Sequence, residues 1–264
     1  MNRIDSKFRK LRKTGKRAFI AFITAGYPDL NKTVQLVREL DRRGVDIVEL
    51  GVPFSDPLAD GPIIQEASGY ALKRNASLEA ILRAVKEIRK HSDVAICLMS
   101  YYNPIFSYGD EKFVKAAVSA GVDGVIIPDL PPEEAKSFRK FSSLSGLLNI
   151  FFLSPTSSIS RIKMVSQASK GFIYYVSLTG VTGLRKSLAG DLSDNIKKIK
   201  RYCRKPVCVG FGVSCASQVK EVAGIADGVI VGSAIVKVIR DNINKPGLVK
   251  TVGDFTENLN NATL

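Results

Sequence analysis

Histidine is almost absent from this chain of 264 residues: there is one, His91. It falls at the end of a helical pattern, where a surface position near the C-cap is expected. A lone imidazole argues against a histidine triad, so proton chemistry falls to other side chains. The four cysteines (Cys97, Cys203, Cys208 and Cys215) form no CxxC and no regular spacing. That argues against a structural zinc site or a disulfide framework and suits a reducing, cytoplasmic compartment. Cys97 and Cys208 lie in apolar runs and read as buried thiols. No apolar run is long enough to span a bilayer, so no membrane partner is expected. The basic N-terminus, MNRIDSKFRKLRKTGKR, lacks the apolar stretch of a secretory signal. Its Ile4, Phe8 and Leu11 mark one face of an amphipathic helix. No GxGxxG follows the first apolar run, which weakens a doubly wound dinucleotide fold.

What the chain has in excess is positive charge. Thirty-nine Lys and Arg against 25 Asp and Glu give a formal charge of +14. Such a balance favours anionic partners: a phosphorylated metabolite, nucleic acid or an acidic protein surface. The basic residues are spread along the chain, and the densest group, KKIKRYCRK (197–205), has the spacing of a solvated helix face. Neither an RNP-like aromatic cluster nor zinc-finger spacing is present, so no nucleic-acid partner is expected.

Apolar runs rich in Val, Ile and Phe alternate with helical patterns. The strand candidates are 18–24, 46–52, 94–100, 124–129, 149–154, 172–178, 206–212 and 228–234. Continuous apolar runs suit parallel strands covered on both faces. Between them, Leu78, Ile81, Leu82, Val85 and Ile88 fall at helical spacing. Asp110 and Ser214 are expected N-caps. The fold class that follows is α/β, a (β/α)8 TIM barrel with an extra N-terminal helix, read as one domain over 1–264. A further helical segment is expected over 248–260. GVDIVEL, GVDGVII and ADGVIVG resemble one another, as they would if one helix-to-strand junction recurs.

The stretch VDIVELGVPFSDPLADGPIIQ (45–65) places an acid, Glu49, inside an apolar strand and follows it with a Pro/Asp/Gly-rich loop. A carboxylate in such a run is expensive unless pairing or chemistry justifies it. A structural acid satisfied by backbone N–H groups is the plain alternative. With Asp60 in the next loop, the pair reads as catalytic, because two acids in different surroundings can divide acid and base work. Asp56, beside Pro57, has the weaker catalytic case and suits a partner-facing position. Strands seven and eight end in VGFG and VGSA. Backbone N–H groups after the last two strands form the usual phosphate site of such barrels, which selects Gly212, Gly232 and Ser233. TGVTG (179–183) suits a closing lid, with Gly183 completing the grip and Thr182 orienting an acid. Phe22, Tyr101, Ile126, Tyr174 and Phe211 sit near strand ends, where they would line a slot for a flat substrate or else fill barrel core.

Together, VELGVPFSDPLADGPIIQ, ITAGYPD, LMSYYNPIF, VIIPDLPPEE, SLTGVTGLR, VGFGVS and VGSAIVK resemble the tryptophan synthase alpha-subunit family. The resemblance implies cleavage of indole-3-glycerol phosphate to indole and glyceraldehyde 3-phosphate. It implies no cofactor and no metal in this chain, and a beta-subunit partner carrying pyridoxal phosphate in an alpha2beta2 heterotetramer. Glu49 matches the family's acid/base, which protonates indole C3 and helps remove the glycerol hydroxyl proton. Asp60 matches the acid that binds the indole N–H. Gly183, Gly212, Gly232 and Ser233 match the phosphate grip, Thr182 the lid threonine, and Tyr174 a residue beside the reacting centre. Asp56, Pro57 and Asn103 fall where the family meets its partner. The sequence departs from the pattern at Leu184, where a smaller residue is commoner, and carries Met99 and Ser100 at the edge of the indole slot. Two other readings remain open on the sequence. One is a weakly active barrel that binds and activates the beta subunit; the other is a different phosphate-gripping barrel.

Overall fold

The computed structural model describes residues 2–177, 188–210 and 212–263. Among them, eight strands carry the apolar runs: β1 (Ala18–Thr24), β2 (Ile47–Gly51), β3 (Ala95–Met99), β4 (Gly124–Ile126), β5 (Leu148–Leu153), β6 (Ile173–Val176), β7 (Val207–Gly210) and β8 (Gly228–Val231). All neighbours are parallel, and β8 pairs back onto β1, so the sheet closes into a barrel in sequence order. Closure satisfies every edge, and the crossovers supply the surrounding helices. In order these are α1 (Arg3–Thr14), α2 (Leu30–Arg42), α3 (Pro62–Leu72), α4 (Leu78–Arg89), α5 (Tyr102–Tyr108), α6 (Asp110–Ala120), α7 (Lys136–Ser145), α8 (Ile159–Ala168), α9 (Leu188–Tyr202), α10 (Ala216–Ala223), α11 (Ser233–Asp241) and α12 (Leu248–Asn260). The (β/α)8 barrel with its added N-terminal helix is therefore the architecture.

Two apolar clusters hold it together. Residues pointing outward from the strands, such as Phe19, Val48, Leu50 and Ile96, pack against the helices. Those pointing inward, among them Ile20, Ile47, Cys97, Ile150 and Cys208, fill the barrel. Ile4, Phe8 and Leu11 of α1 belong to the inner cluster. The ring of Phe8 lies 5.7 Å from that of Phe172, at the start of the sixth apolar run. The amphipathic face read from the sequence thus stoppers the amino end of the barrel.

The repeated junction has a physical cause. Asp46, Asp123 and Asp227 each stand just before a strand. Each carboxylate accepts a backbone N–H from the preceding strand: Phe19, Ile96 and Val207 respectively, all at 2.9 Å. Each aspartate's own N–H is returned to the carbonyl of the same residue, at 3.1, 2.9 and 2.9 Å. The pairs tie neighbouring strands together where they begin.

Most predicted strands overrun the ladders by one to three residues. Part of the described surplus belongs to the loops and helix starts that follow the strands: Asp129 Oδ1 accepts from the Tyr102 N–H at 2.8 Å, and Ser233 starts α11. The two expected N-caps are corrected. α6 begins at Asp110 itself, after Gly109, and the Asp110 carboxylate accepts from the Tyr102 hydroxyl. At α10 the N-cap is Cys215. Ser214 lies one residue before the cap, and its N–H (2.8 Å) and hydroxyl (3.1 Å) both donate to the Gln218 side-chain oxygen.

Candidate active site

Strand alternation decides where Glu49 points. Val48 and Leu50 face the helices. Glu49 therefore faces the barrel interior, in register with Phe22 and Cys97. It is fully buried, and neither carboxylate oxygen has a hydrogen-bond partner among the described residues. Burial, reinforced by the charge of Asp60, pushes its pKa up to about 8.

Asp60 arrives from the loop after β2, immediately before the Gly61–Pro62 start of α3. Tyr101 holds it. The phenol oxygen accepts the Ala59 N–H at 2.8 Å and donates to Asp60 Oδ2 at 3.3 Å. Phe54 stacks on the Tyr101 ring with centroids 5.2 Å apart. Burial raises Asp60 to about 6, against the opposing pull of the Tyr101 hydrogen bond. Tyr101 in turn is pushed up to about 12 by burial and by the Asp60 charge. Tyr174 lies within reach of both acids: desolvation raises its phenol well above the usual value, and the charges of Glu49 and Asp60 raise it further.

These residues border a cavity of about 660 Å³ at the carboxyl end of the barrel. Phe22, Asp60, Met99, Phe152 and Tyr174 line one part of it. Gly212, Gly232 and Ser233 line another, where β7 and β8 end. Gly212 has φ +75°, a left-handed conformation that favours glycine. Gly232 precedes the first turn of α11 with no side-chain cap, so its backbone donors are left for an anion. Two glycines absent from the sequence-based selection make room for the rings. A Cβ on Gly51 would lie 2.5 Å from Phe22 Cζ, and one on Gly210 would lie 2.6 Å from the Tyr174 hydroxyl.

The cavity therefore gathers Phe22, Asp60, Tyr174, Gly212, Gly232 and Ser233, with Glu49 beneath its surface. Tyr101 acts through Asp60. Ile126 does not line the slot: it is fully covered and packs in the inner cluster, because short β4 keeps it inside the barrel. Thr182, Gly183, Leu184 and Phe211 lie outside the described residues. Pro128, Ser154, Ser157 and Arg161 also line the cavity and were not selected from sequence. Pro128 follows β4, and Ser154, Ser157 and Arg161 follow β5, so all four obey the same strand-end rule. Arg161 is paired with Glu133. Asp56 is exposed and accepts from Ser55 Oγ at 2.6 Å, Pro57 is half-buried, and Asn103 is exposed on α5. Among the described residues, no group of three or more His, Cys, Asp or Glu is placed to hold a metal ion. No described helix is long and apolar enough to cross a membrane.

A closed parallel barrel with Glu49, Asp60 and a glycine-lined cavity at its carboxyl end has the architecture of a (β/α)8 enzyme. Comparison with known proteins narrows the class. A family model described as tryptophan synthase alpha chain matches residues 8–263. The tryptophan synthase alpha chain of Geotalea daltonii is 52% identical over 237 residues, covering 90% of each chain. That of Geobacter sp. strain M21 is 47% identical, covering 100% of this chain and 98% of the relative. The crystal structure of tryptophan synthase subunit alpha from Legionella pneumophila str. Paris superposes with a TM-score of 0.94 at 37% identity, covering 100% of this chain and 98% of that one. The chain belongs to the tryptophan synthase alpha chain family, lyases of tryptophan biosynthesis.

Proposed function

We propose that this barrel cleaves indole-3-glycerol phosphate to indole and glyceraldehyde 3-phosphate, with Glu49 and Asp60 as its catalytic residues. The observation that carries the assignment is the placement of two acids in different surroundings: Glu49 fully buried with both oxygens unpartnered among the described residues, and Asp60 lining the cavity in the grip of Tyr101. With Glu49 near 8 and Asp60 near 6, neutral pH leaves the first mostly protonated and the second mostly ionised. A protonated Glu49 is equipped to donate to indole C3. An ionised Asp60 is equipped to accept from the ring N–H and to stabilise positive charge developing there. The Glu49 carboxylate left by the first transfer then takes the proton of the glycerol hydroxyl next to the ring. Collapse of that alkoxide to an aldehyde breaks the bond to C3, and its electron pair restores the aromatic indole. One group serves both transfers, and no net proton is consumed. General acid–base help of this kind contributes roughly 100- to 10,000-fold.

Gly212, Gly232 and Ser233, with Gly183, would hold the phosphate through backbone N–H groups and the start of α11. Phe22, Tyr174 and Phe211 would flank the ring, and Thr182 would orient an acid once the lid closes. The family implies a beta subunit. We place its seat on the rim formed by Asp56, Pro57 and Asn103, in an alpha2beta2 cytoplasmic assembly with pyridoxal phosphate in the beta chain and no cofactor here. Two large apolar side chains support this seat: Leu58 is 92% exposed and Phe106 is 66% exposed. Contacts from Tyr101 to Phe54 and to Ala59 join the two segments that carry them.

The test is indole release from indole-3-glycerol phosphate, with and without the beta subunit. Glu49→Gln and Asp60→Asn should each abolish it while the chain stays folded. A fully active Glu49→Gln enzyme removes Glu49 from the reaction. Activation of the beta subunit with no lyase turnover would instead make the barrel a regulatory module.

A further inference from the structure

The two most basic stretches of the sequence, at the N-terminus and at 197–205, lie far apart along the chain, and the reaction above uses neither. The fold brings them to one place. Arg12, Lys16 and Arg17 come from the N-terminal run, and Lys200, Arg204 and Lys205 from KKIKRYCRK; all six line a single cavity of about 730 Å³. The cavity lies at the amino end of the barrel, opposite the mouth, between α1, the end of α9 and the segments entering β1 and β7. Phe8, Leu11, Cys203 and Pro206 give it an apolar floor.

Six cations share this cavity with one carboxylate, Asp227. That carboxylate is already committed: one oxygen holds Lys200 Nζ at 2.9 Å, the other the Val207 N–H at 2.9 Å. Arg17 donates to the Ala223 carbonyl at 3.2 Å, and Lys205 to that of Ser166. Arg12, Lys16 and Arg204 make no salt bridge to any described residue. Helix dipoles explain part of the pattern, since α1 and α9 both end here and each favours cations in its last turn by about 0.3–1 kcal/mol. They do not explain Lys16, Arg17, Arg204 and Lys205, which lie beyond the helices, or the meeting of both basic stretches over one apolar hollow. Like charges gathered in a concavity repel one another and focus a positive field on whatever enters.

We infer that this cavity is a second anion site, separate from the active site, for a small ligand carrying at least two phosphate groups on a flat apolar body, the chemistry of a nucleoside diphosphate. Guanidinium groups bind phosphate oxygens in pairs. The volume falls within the usual range for small-molecule pockets, and the floor suits an aromatic ring. The cations line one hollow rather than a basic stripe with stacking platforms, which favours a small ligand over RNA.

Titration calorimetry of the full chain with metal-free ADP and with pyrophosphate, at physiological ionic strength, tests the site. One ADP should bind per chain, about tenfold tighter than pyrophosphate because of ring burial. Arg12→Ala/Arg204→Ala should weaken ADP at least about tenfold, with melting temperature and indole release unchanged. Lys16→Ala, a milder change, should weaken it less but in the same direction. Added salt should weaken it further. The inference is overturned by any of four results: no ADP binding below about 5 mM, equal affinity in the double variant, pyrophosphate binding as well as ADP, or an RNA dodecamer outcompeting ADP at the same arginines.

Discussion

Glu49 is a carboxyl group held where its charge is unwelcome, and the stability of the protein should register this. An unfolded chain ionises Glu49 near 4.5, whereas the folded barrel holds the proton to about 8. Below both values the two states bind the proton equally. Between them the unfolded state releases it first, so this residue erodes stability as pH rises, and above 8 the penalty is constant. Glu49→Gln removes the penalty. In urea unfolding the variant should match the parent near pH 4.5 and exceed it by up to a few kcal/mol at pH 8. Equal stability at both pH values would place an ionised, well-solvated carboxyl at this position. Tyr101 makes a second residue-scale test. Its hydrogen bond pulls the Asp60 pKa down against burial. Tyr101→Phe should therefore move the acidic limb of the indole-release profile, expected near 6, to higher pH. A limb that stays in place would assign that titration to another group.

The three aspartates before β2, β4 and β8 show what was legible at the scale of elements and what was not. Their segments look alike in the sequence, so a recurring junction could be read. That each carboxylate reaches back to the preceding strand depends on the parallel pairing of consecutive strands, which no local pattern encodes. The apolar runs gave the strands because burial on both faces is written in every residue. Strand ends were overrun because the same apolar residues continue into the mouth. Ser214 is not the cap because α10 starts one residue later, with Cys215 at the cap and Ser214 donating to Gln218. Gly51 and Gly210 were overlooked because their necessity is a ring on the neighbouring strand. Among the aspartates, Asp123 is the most heavily engaged: Arg89 lies at 2.9 Å and Arg3 at 3.2 Å, and the Ile96 N–H is bound as well. Asp123→Ala leaves those donors without their partner and should cost at least about 2 kcal/mol in urea unfolding. Asp46→Ala, whose cationic partner is Lys7 at 3.3 Å, should cost less. Equal losses would mean that the backbone bond alone sets the value.

For the whole molecule, the two ends of the barrel have different work. The carboxyl end carries Glu49, Asp60, the proposed anion seat and the exposed Leu58 and Phe106; the amino end carries the strand ties and the six cations of the second cavity. Leu58→Asp should weaken association with the beta subunit about tenfold or more while leaving the melting temperature unchanged, because so exposed a side chain supports nothing within the barrel. Unaltered affinity would move the contact surface elsewhere.

The helix that closes the barrel floor also makes its traffic one-ended. With Ile4, Phe8 and Leu11 filling the bottom, a neutral ring freed above Glu49 in the proposed reaction would have the mouth as its way out, the same opening by which the phosphorylated precursor would enter. A lone chain would then spill its product into bulk water, and a protein seated on the proposed rim would inherit the exit. Stopped-flow detection of free indole should show prompt appearance with the barrel alone and a delayed, smaller signal once the beta subunit and serine are present. Identical release in both would mean the product has a second way out.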